Sequence, residues 1–245
     1  MTSEVVPGVF RCGTWFVNWY LVSVKDGVTI VDAGLPGYRA QLPEAVRLIG
    51  RVLRDVKAIV LTHAHADHLG FAESWRRELD IPVYVHAADE EAARTGAVQK
   101  PEGSILPYLR YGGTYRLLAH FARYGPRIRP LRDTRVFADR QQLDVPGAPR
   151  VVHTPGHTRG HSALVFEDRG VVMVGDAFCT WHPLTGLSGP RLLPQAFNVD
   201  SAQALASLDR LRKLDASVTL CGHGSPWTAT LSAAVAEVRR FGALP

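Results

Sequence analysis

The stretch LTHAHADHLG, residues 61–70, decides how the rest of the sequence is interpreted. It continues the apolar run KAIVL and places four polar side chains within six positions: His63, His65, Asp67 and His68. On extended backbone, side chains two residues apart point the same way, so His63 and His65 can share one ion. Where the chain then enters a helix, the side chains of Asp67 and His68 point to a position next to the one that His63 and His65 share. Imidazole and carboxylate together favour zinc, iron or manganese.

Three further stretches place candidate ligands at the end of an apolar strand. They are HTPGHTRGHS (153–162), VGDAF (174–178) and CGHGSP (221–226). One run of ligands cannot complete two coordination shells, so these stretches supply what the first one lacks. Glycines flank the candidates and permit tight turns close to a metal.

The order of apolar runs predicts sheets covered by helices. The predicted strands are 15–24, 28–32, 56–62, 83–86, 150–155, 162–168, 171–176 and 217–223. Apolar residues at helical spacing predict helices over 40–54, 67–80, 201–214 and 228–241. Asp200 or Ser201 is expected to cap the third of these helices.

Composition excludes several classes of protein. The chain has 245 residues, of which 46% are hydrophobic and 21% charged, and this is ordinary globular composition. A net charge of +5 is too modest to predict a nucleic-acid partner. No apolar run approaches the roughly 20 residues that span a bilayer, so we expect no membrane association. The first residues show no signal-peptide pattern. Three cysteines without a C-x-x-C pair argue against a disulfide framework, and we therefore expect a cytoplasmic protein.

Five short motifs resemble those of the metallo-β-lactamase superfamily, across almost the whole chain and in the order of that family. They are VDAG (31–34), THAHADH (62–68), TPGHTRGH (154–161), GD (175–176) and GHG (222–224). The resemblance implies a fold of the α+β class, an αββα four-layer sandwich with metals at one edge, between the two sheets. It implies a single domain of this fold over residues 1–245.

The resemblance also assigns ligands to the motif positions. It implies one metal held by His63, His65 and His157, and a second held by Asp67, His68 and His223. Asp176 would bridge both metals. Asp32 and His161 match positions that support the ligands through hydrogen bonds, and His153 is a weaker candidate. Two zinc ions per chain are expected, with iron or manganese as alternatives, because the same nitrogen and oxygen ligands accept all three.

The implied mechanism uses a hydroxide bound between two metals. Two cations roughly 3.5–4 Å apart lower the pKa of water, and the hydroxide attacks a carbonyl or phosphoryl centre. Asp67 is the candidate catalytic residue, which orients the nucleophile and later passes a proton to the leaving group. Zinc β-lactamases generally lack a bridging aspartate such as Asp176, so antibiotic hydrolysis is not expected.

Other branches of the family keep the bridging aspartate. Acyl-homoserine lactonases usually place a tyrosine after it, whereas this chain reads AFCTWHPLTG and offers Trp181 or His182 instead. Glyoxalase II carries a C-terminal helical domain, which we do not expect here. We predict a glyoxalase II-like or lactonase-like hydrolase that cleaves a thioester, ester or lactone of a small molecule. The alternatives are a phosphodiesterase or nuclease, and a persulfide dioxygenase with one iron on His63, His157 and Asp176.

Residues 87–135 predict a helical insertion near the active-site mouth. Within 103–132 there are six arginines, four tyrosines and no acidic residue. The four tyrosines and four of the arginines are candidate substrate contacts: Tyr108, Tyr111, Tyr115, Tyr124, Arg110, Arg116, Arg123 and Arg127. They could accept an acidic or acyl-chain substrate, or they could form the solvated face of an ordinary amphipathic helix. The apolar Leu117, Leu118 and Phe121 could line a pocket or pair with a second chain, which leaves a homodimer open.

Overall fold

Apolar runs with β-branched residues fold into strands, and the runs of helical spacing fold against them. A computed structural model gives the structure of residues 2–125 and 128–242. The strands are β1 (Ser3–Val6), β2 (Val9–Gly13), β3 (Asn18–Val24), β4 (Gly27–Val31), β5 (Val56–Val60), β6 (Val83–His86), β7 (Arg135–Phe137), β8 (Arg150–His153), β9 (Ser162–Phe166), β10 (Val171–Gly175), β11 (Cys179–Trp181), β12 (Ser188–Arg191) and β13 (Val218–Cys221). The α-helices are α1 (Gln41–Leu48), α2 (Ala66–Leu69), α3 (Ala72–Leu79), α4 (Glu90–Thr95), α5 (Gly112–Tyr124), α6 (Ser201–Leu211) and α7 (Leu231–Phe241).

Two large sheets organise these elements. The first has the order β1-β2-β3-β4-β5-β6-β7, antiparallel from β1 to β4 and parallel from β4 to β7. The second has the order β13-β10-β9-β8, in which β8, β9 and β10 are antiparallel neighbours and β13 runs parallel to β10. Strands β11 and β12 form a small third sheet.

Three apolar cores separate four layers of secondary structure, two made of sheets and two made of helices. One core lies between the first sheet and the helices α1 and α3, where Leu42 and Trp75 are buried. The second lies between the two sheets and includes Val60 and Leu164. In the third, strands of the second sheet pack on α6 and α7 through residues such as Leu208. The predicted αββα sandwich of the α+β class is confirmed.

This topology brings the polar motifs to one edge. The parallel strands β4, β5 and β6 end at that edge, and Asp32 and His63 follow the first two of them. In the second sheet β8, β10 and β13 run in one direction, and His157, Asp176 and His223 follow their ends. The carboxyl ends of strands from both sheets therefore face each other across a single cleft.

The predicted continuous helix over 67–80 is wrong. The helix breaks after α2, because the backbone around the break pairs with the neighbouring loop. The Ala33 N–H donates to the His68 carbonyl at 2.7 Å, and the Phe71 N–H donates to the Ala33 carbonyl at 3.0 Å. A Cβ atom at Gly70 would lie 1.9 Å from the Gly34 carbonyl oxygen, so only glycine permits this approach. The break lets His68 face the site while α3 packs on the sheet.

Other element boundaries also differ from the prediction. The helix predicted over 40–54 ends at Leu48, because the Arg51 N–H turns back to the Val46 carbonyl at 3.0 Å. Asp200, not Ser201, caps α6 through the Gln203 N–H at 2.8 Å. Short strands β1, β2, β7, β11 and β12 were not predicted. No helix within 2–125 and 128–242 is both long enough and apolar enough to cross a bilayer.

The segment 87–135 contains both helix and strand. Helices α4 and α5 lie within it, and its last residue, Arg135, begins strand β7 of the first sheet. On α5, Thr114 and Leu117 are buried whereas Arg116 and Arg123 are exposed. Helix α5 therefore has a solvated basic face and a buried apolar one; the predicted Arg127 lies outside the described residues.

Candidate metal centre

The structure brings all seven predicted ligand side chains together at the cleft between the sheets. They form three overlapping groups: His63, His65 and His157; His63, His68 and Asp176; and Asp67, His68 and His223. Within each group the candidate ligand atoms lie within 4.8 Å of one another. His65 Nδ1 and His157 Nε2 are 2.8 Å apart, a distance at which two ring nitrogens share either a proton or a cation. The arrangement can hold metal ions.

Asp176 occupies the middle of the centre. Its Oδ2 atom lies 3.4 Å from His157 Nε2 and 3.9 Å from His63 Nε2 on one side. On the other side it lies 3.2 Å from His223 Nε2 and 3.6 Å from His68 Nε2. One carboxylate oxygen is therefore within reach of the histidines of both predicted metal sites.

Two rings are oriented by the residue that follows β4. Asp32 is buried with a backbone φ of +59°, a conformation that non-glycine residues rarely adopt. Its Oδ2 atom lies 2.8 Å from His68 Nδ1 and accepts the ring proton there. The Thr62 hydroxyl donates to Asp32, and its oxygen lies 3.0 Å from His63 Nδ1. Both rings therefore point Nε2 at the centre, in the supporting role predicted for Asp32.

Two further rings are held by groups that sequence reasoning missed. His157 Nδ1 lies 2.8 Å from Asn198 Oδ1, in the loop before α6. His223 Nδ1 lies 2.5 Å from the Phe16 carbonyl oxygen, in the loop before β3. No sequence motif marks Asn198, and a backbone carbonyl has no side-chain signature at all.

His161 and His153 lie outside the ligand groups. His161 Nε2 accepts from the Asp176 N–H at 3.0 Å, and its Nδ1 lies 2.8 Å from the Thr154 hydroxyl. Both nitrogens of His161 are thus engaged, and the ring positions Asp176. Burial lowers the pKa of His161 to about 4, so the ring is neutral at pH 7. His153 stacks on His86 at 4.1 Å and contacts the Arg159 carbonyl.

Asp89 joins the two loops that carry the candidate ligands. Its side chain is buried just after β6, at the same sheet edge as Asp32. It accepts from the Ala64 N–H at 3.1 Å in the first loop. In the second loop it accepts from the Thr158 hydroxyl at 2.6 Å and the Gly160 N–H at 2.7 Å. The sequence does carry a signal for this role, a carboxylate after a third parallel strand, but Asp89 was not among the predicted site residues.

The protonation of the centre depends on charge as well as burial. Burial lowers the pKa of His63, His65 and His157, which favours the neutral form that binds metals. Burial has the same effect on His68, but the carboxylates of Asp176, Asp32 and Asp67 outweigh it and raise the pKa of His68.

The pKa of His223 is also raised, because Asp176 outweighs the effect of burial. Burial would raise the pKa of Asp176, yet His223 and His68 hold it well below the ordinary value. The centre therefore stabilises positive charge beside Asp176, where a proton and a metal ion would compete.

The buried polar atoms of the centre fit metal ions. His63 Nε2, His68 Nε2 and Asp176 Oδ1 are buried without a hydrogen-bond partner among the described residues. A buried polar atom left unpaired costs about 1–3 kcal/mol, so three such atoms close together indicate a site that binds a ligand. A Cβ atom at Gly222 would lie 2.1 Å from Asp176 Oδ1, so glycine there keeps room for the carboxylate.

A cavity of about 180 Å³ opens above these atoms. Five candidate ligands line its floor: His65, Asp67, His157, Asp176 and His223. Leu117 and Phe121 of α5 form part of its wall. None of the four tyrosines of 103–132 lines it, nor do Trp181 and His182, which were candidates to replace the lactonase tyrosine.

The three cysteines take no part in this chemistry. Cys12, Cys179 and Cys221 are buried free thiols. Burial raises the pKa of Cys12 to about 12, and it also raises the pKa of Cys179 and Cys221. Thiols in this state are poor nucleophiles.

The family of the protein follows from comparison with known sequences. The family model of the metallo-β-lactamase superfamily matches residues 12–223, which include all seven candidate ligands. The chain belongs to the metallo-β-lactamase superfamily. The superfamily implies a bound metal, and the His and Asp groups described above are the candidates to hold it.

Similarity to individual proteins supports the same family. The chain is 30% identical over 240 residues to the probable metallo-hydrolase YflN of Bacillus subtilis, covering 92% of this chain and 87% of that one. A metallo-β-lactamase family protein from Thermus thermophilus has 26% identity and a TM-score of 0.70, covering 97% and 80% of the two chains. A Cronobacter sakazakii metallo-β-lactamase has 20% identity and a TM-score of 0.70, covering 98% and 92%, and shows the shared fold alone. The chain is therefore a metallo-hydrolase of this superfamily.

Proposed function

We propose that the protein holds two divalent metal ions, zinc in the first instance, and hydrolyses a thioester, ester or lactone. The position of Asp176 is the observation that carries this proposal. Its Oδ2 atom lies within 3.4 Å of His157 Nε2 and 3.2 Å of His223 Nε2, which belong to different ligand groups. A single metal would leave one of these groups of buried nitrogens and carboxylates without a cation.

The residues of the centre have distinct parts in the proposed reaction. When bound, two such ions would lower the pKa of water and polarise a carbonyl oxygen. Asp67 faces the cavity, and its Oδ2 atom lies 3.5 Å from His223 Nε2. A carboxylate at that point can orient a water molecule and then carry its proton to the leaving group. Asp32, Asn198 and the Phe16 carbonyl keep the rings aimed at the cleft.

The cavity favours a carbonyl substrate over a phosphodiester. Among the described residues that line it, none is a lysine or an arginine, so the wall offers no cation to a phosphate group. The iron-dependent persulfide dioxygenase uses positions matching His63, His157 and Asp176, which are all in place. Relatives of that type often keep the other ligand residues as well, so metal content and oxygen uptake are needed to distinguish the two activities.

The test is hydrolysis before and after removal of the metals. Protein stripped with a chelator should not turn over a thioester, a p-nitrophenyl ester or a γ-lactone, and two equivalents of zinc should restore activity. Full activity in the stripped protein would contradict the proposal. One iron per chain, with oxygen uptake on glutathione persulfide, would replace it with the dioxygenase.

Substitution of Asp67 tests its part in the reaction. At equal metal content, Asp67→Asn should lower kcat by about 100-fold or more, the usual contribution of a positioned acid or base. Asp168→Asn, on an exposed turn, is the matched control and should retain wild-type kcat. Wild-type kcat in Asp67→Asn would remove Asp67 from the mechanism.

A further inference from the structure

The cavity above the metal centre has two chemically different sides. Its floor carries the candidate ligands, where the bond to be broken must lie. Apart from Gln99, the rest of its wall is apolar and includes Val98, Pro101, Leu117, Phe121, Pro183 and Phe197. Leu117 and Phe121 are one helical turn apart, so both lie on one face of α5.

Among the residues that the structure describes, the wall carries no charged side chain outside the ligand set. Outside the ligand set, the polar side chain in the described wall is that of Gln99. Its amide nitrogen and its amide oxygen each form a hydrogen bond within the protein. Its Nε2 donates to Asp89 at 2.7 Å, and its Oε1 accepts from the Arg159 N–H at 3.0 Å. Arg116 and Arg123 of α5 are exposed and do not line the cavity. An anionic group placed against this wall would lose water without gaining a partner.

From this wall we infer that the substrate of the proposed hydrolase carries an uncharged, apolar acyl group, which packs against Leu117, Phe121 and Phe197. This inference rests on the proposed function. The cavity has a volume of about 180 Å³. An apolar cavity of about 150 Å³ accommodates benzene, so an acyl chain or ring of about six carbon atoms fits.

Matched thioesters of N-acetylcysteamine test the inference on the zinc-loaded protein. The acetyl, hexanoyl and adipoyl thioesters share one leaving group, and the last two differ by a terminal carboxylate. Each buried methylene group is worth at most about fourfold. We expect kcat/KM to increase at least about tenfold from acetyl to hexanoyl, and to fall at least about tenfold from hexanoyl to adipoyl.

Binding of non-hydrolysable analogues separates this inference from the proposed function. In hexyl and 5-carboxypentyl thioethers, a methylene group replaces the carbonyl group. Calorimetry should show tighter binding of the hexyl compound even if no thioester is turned over. Turnover with equal or better use of adipoyl would overturn the inference and leave the hydrolase intact. Tighter hexyl binding without turnover of any thioester, p-nitrophenyl ester or γ-lactone would overturn the hydrolase alone.

Neighbouring leucines on α5 provide a matched pair of variants. Leu117 lines the cavity, whereas Leu118 is 48% exposed and lies outside it. Leu117→Ala should reduce the hexanoyl-to-acetyl ratio of kcat/KM several-fold, and Leu118→Ala should leave it unchanged. Phe197→Ala, on the loop before α6, repeats the test if Leu117→Ala fails to fold. Equal ratios in the wild type and both cavity variants would overturn the inference.

Discussion

Replacing Asp89 by asparagine should weaken metal binding through the loop of the first histidines. Oδ2 accepts from the Ala64 N–H at 3.1 Å and the Thr158 hydroxyl at 2.6 Å. Oδ1 accepts from the Gly160 N–H and from Gln99, each at 2.7 Å. Asparagine keeps one accepting oxygen, which best serves the second pair. The Thr158 hydroxyl can rotate to accept from the new amide, so only the Ala64 N–H is left facing a donor.

The size of the effect follows from that one unpaired group. A buried N–H without an acceptor costs about 1–3 kcal/mol. In a chain of this length each kcal/mol lowers Tm by about 2–4 °C. Ala64 separates His63 from His65, so the same change loosens the segment that holds both rings. Loss of a group that orients metal ligands typically lowers metal affinity about 10–100-fold. We expect this loss of zinc affinity at the site of His63, His65 and His157. The zinc affinity of the site of Asp67, His68 and His223 should change little.

Zinc titration against a chromophoric chelator, together with thermal unfolding of the metal-free protein, measures both effects. Asp139→Asn is the control. Asp139 accepts from the His153 N–H at 2.9 Å and from Arg210 at 2.7 Å, away from the candidate ligands. The Asp139→Asn variant should lower Tm and leave zinc affinity unchanged. If Asp89→Asn lowers Tm but binds both zinc ions as the wild type does, Asp89 supports the fold alone and the reasoning is wrong.

Three further predictions concern the surroundings of the centre. Asn198→Ala removes the acceptor of His157 Nδ1 and should lower zinc affinity about 10–100-fold in the same titration; unchanged affinity would contradict the role given to Asn198. Because Asp176 outweighs burial and raises the pKa of His68 and His223 above 6.5, zinc must displace protons there, and its affinity should keep increasing as pH rises above 6.5. An affinity independent of pH from about 6 to 8 would exclude this competition. Burial lowers the pKa of His86 from 6.5 to about 4, so the unfolded chain binds a proton at a higher pH than the folded chain does. Stability should therefore be lost as pH falls between those two values. His86→Asn keeps an acceptor for the Ala88 N–H and should flatten that part of the stability profile in urea unfolding; a profile identical to the wild type would be contrary to this.

Local pattern was sufficient to predict sheets covered by helices and the first cluster of candidate ligands, whereas the four-layer order and the full ligand set came from the family resemblance. Apolar runs mark buried strands, and His63, His65, Asp67 and His68 stand out through spacing alone. The supporting contacts depend on parts of the chain far apart in sequence. Asn198 reaches His157 across 41 positions, and the Phe16 carbonyl reaches His223 across 207. No local pattern encodes such pairs.

The errors have the same physical origin. The helix predicted over 67–80 has the correct periodicity, but the backbone of Ala33 takes the bonds that would have continued it. Strand β7 has three residues, too few to show alternation, and it forms because β6 offers a free edge. Tertiary contact decided these elements, and local propensity did not.

Anomalous diffraction from zinc-loaded crystals locates the metals without relying on activity. We expect two peaks per chain, one among His63, His65 and His157 and one among Asp67, His68 and His223, with Asp176 between them. A single peak, peaks elsewhere, or none in protein that binds zinc in solution would contradict this expectation.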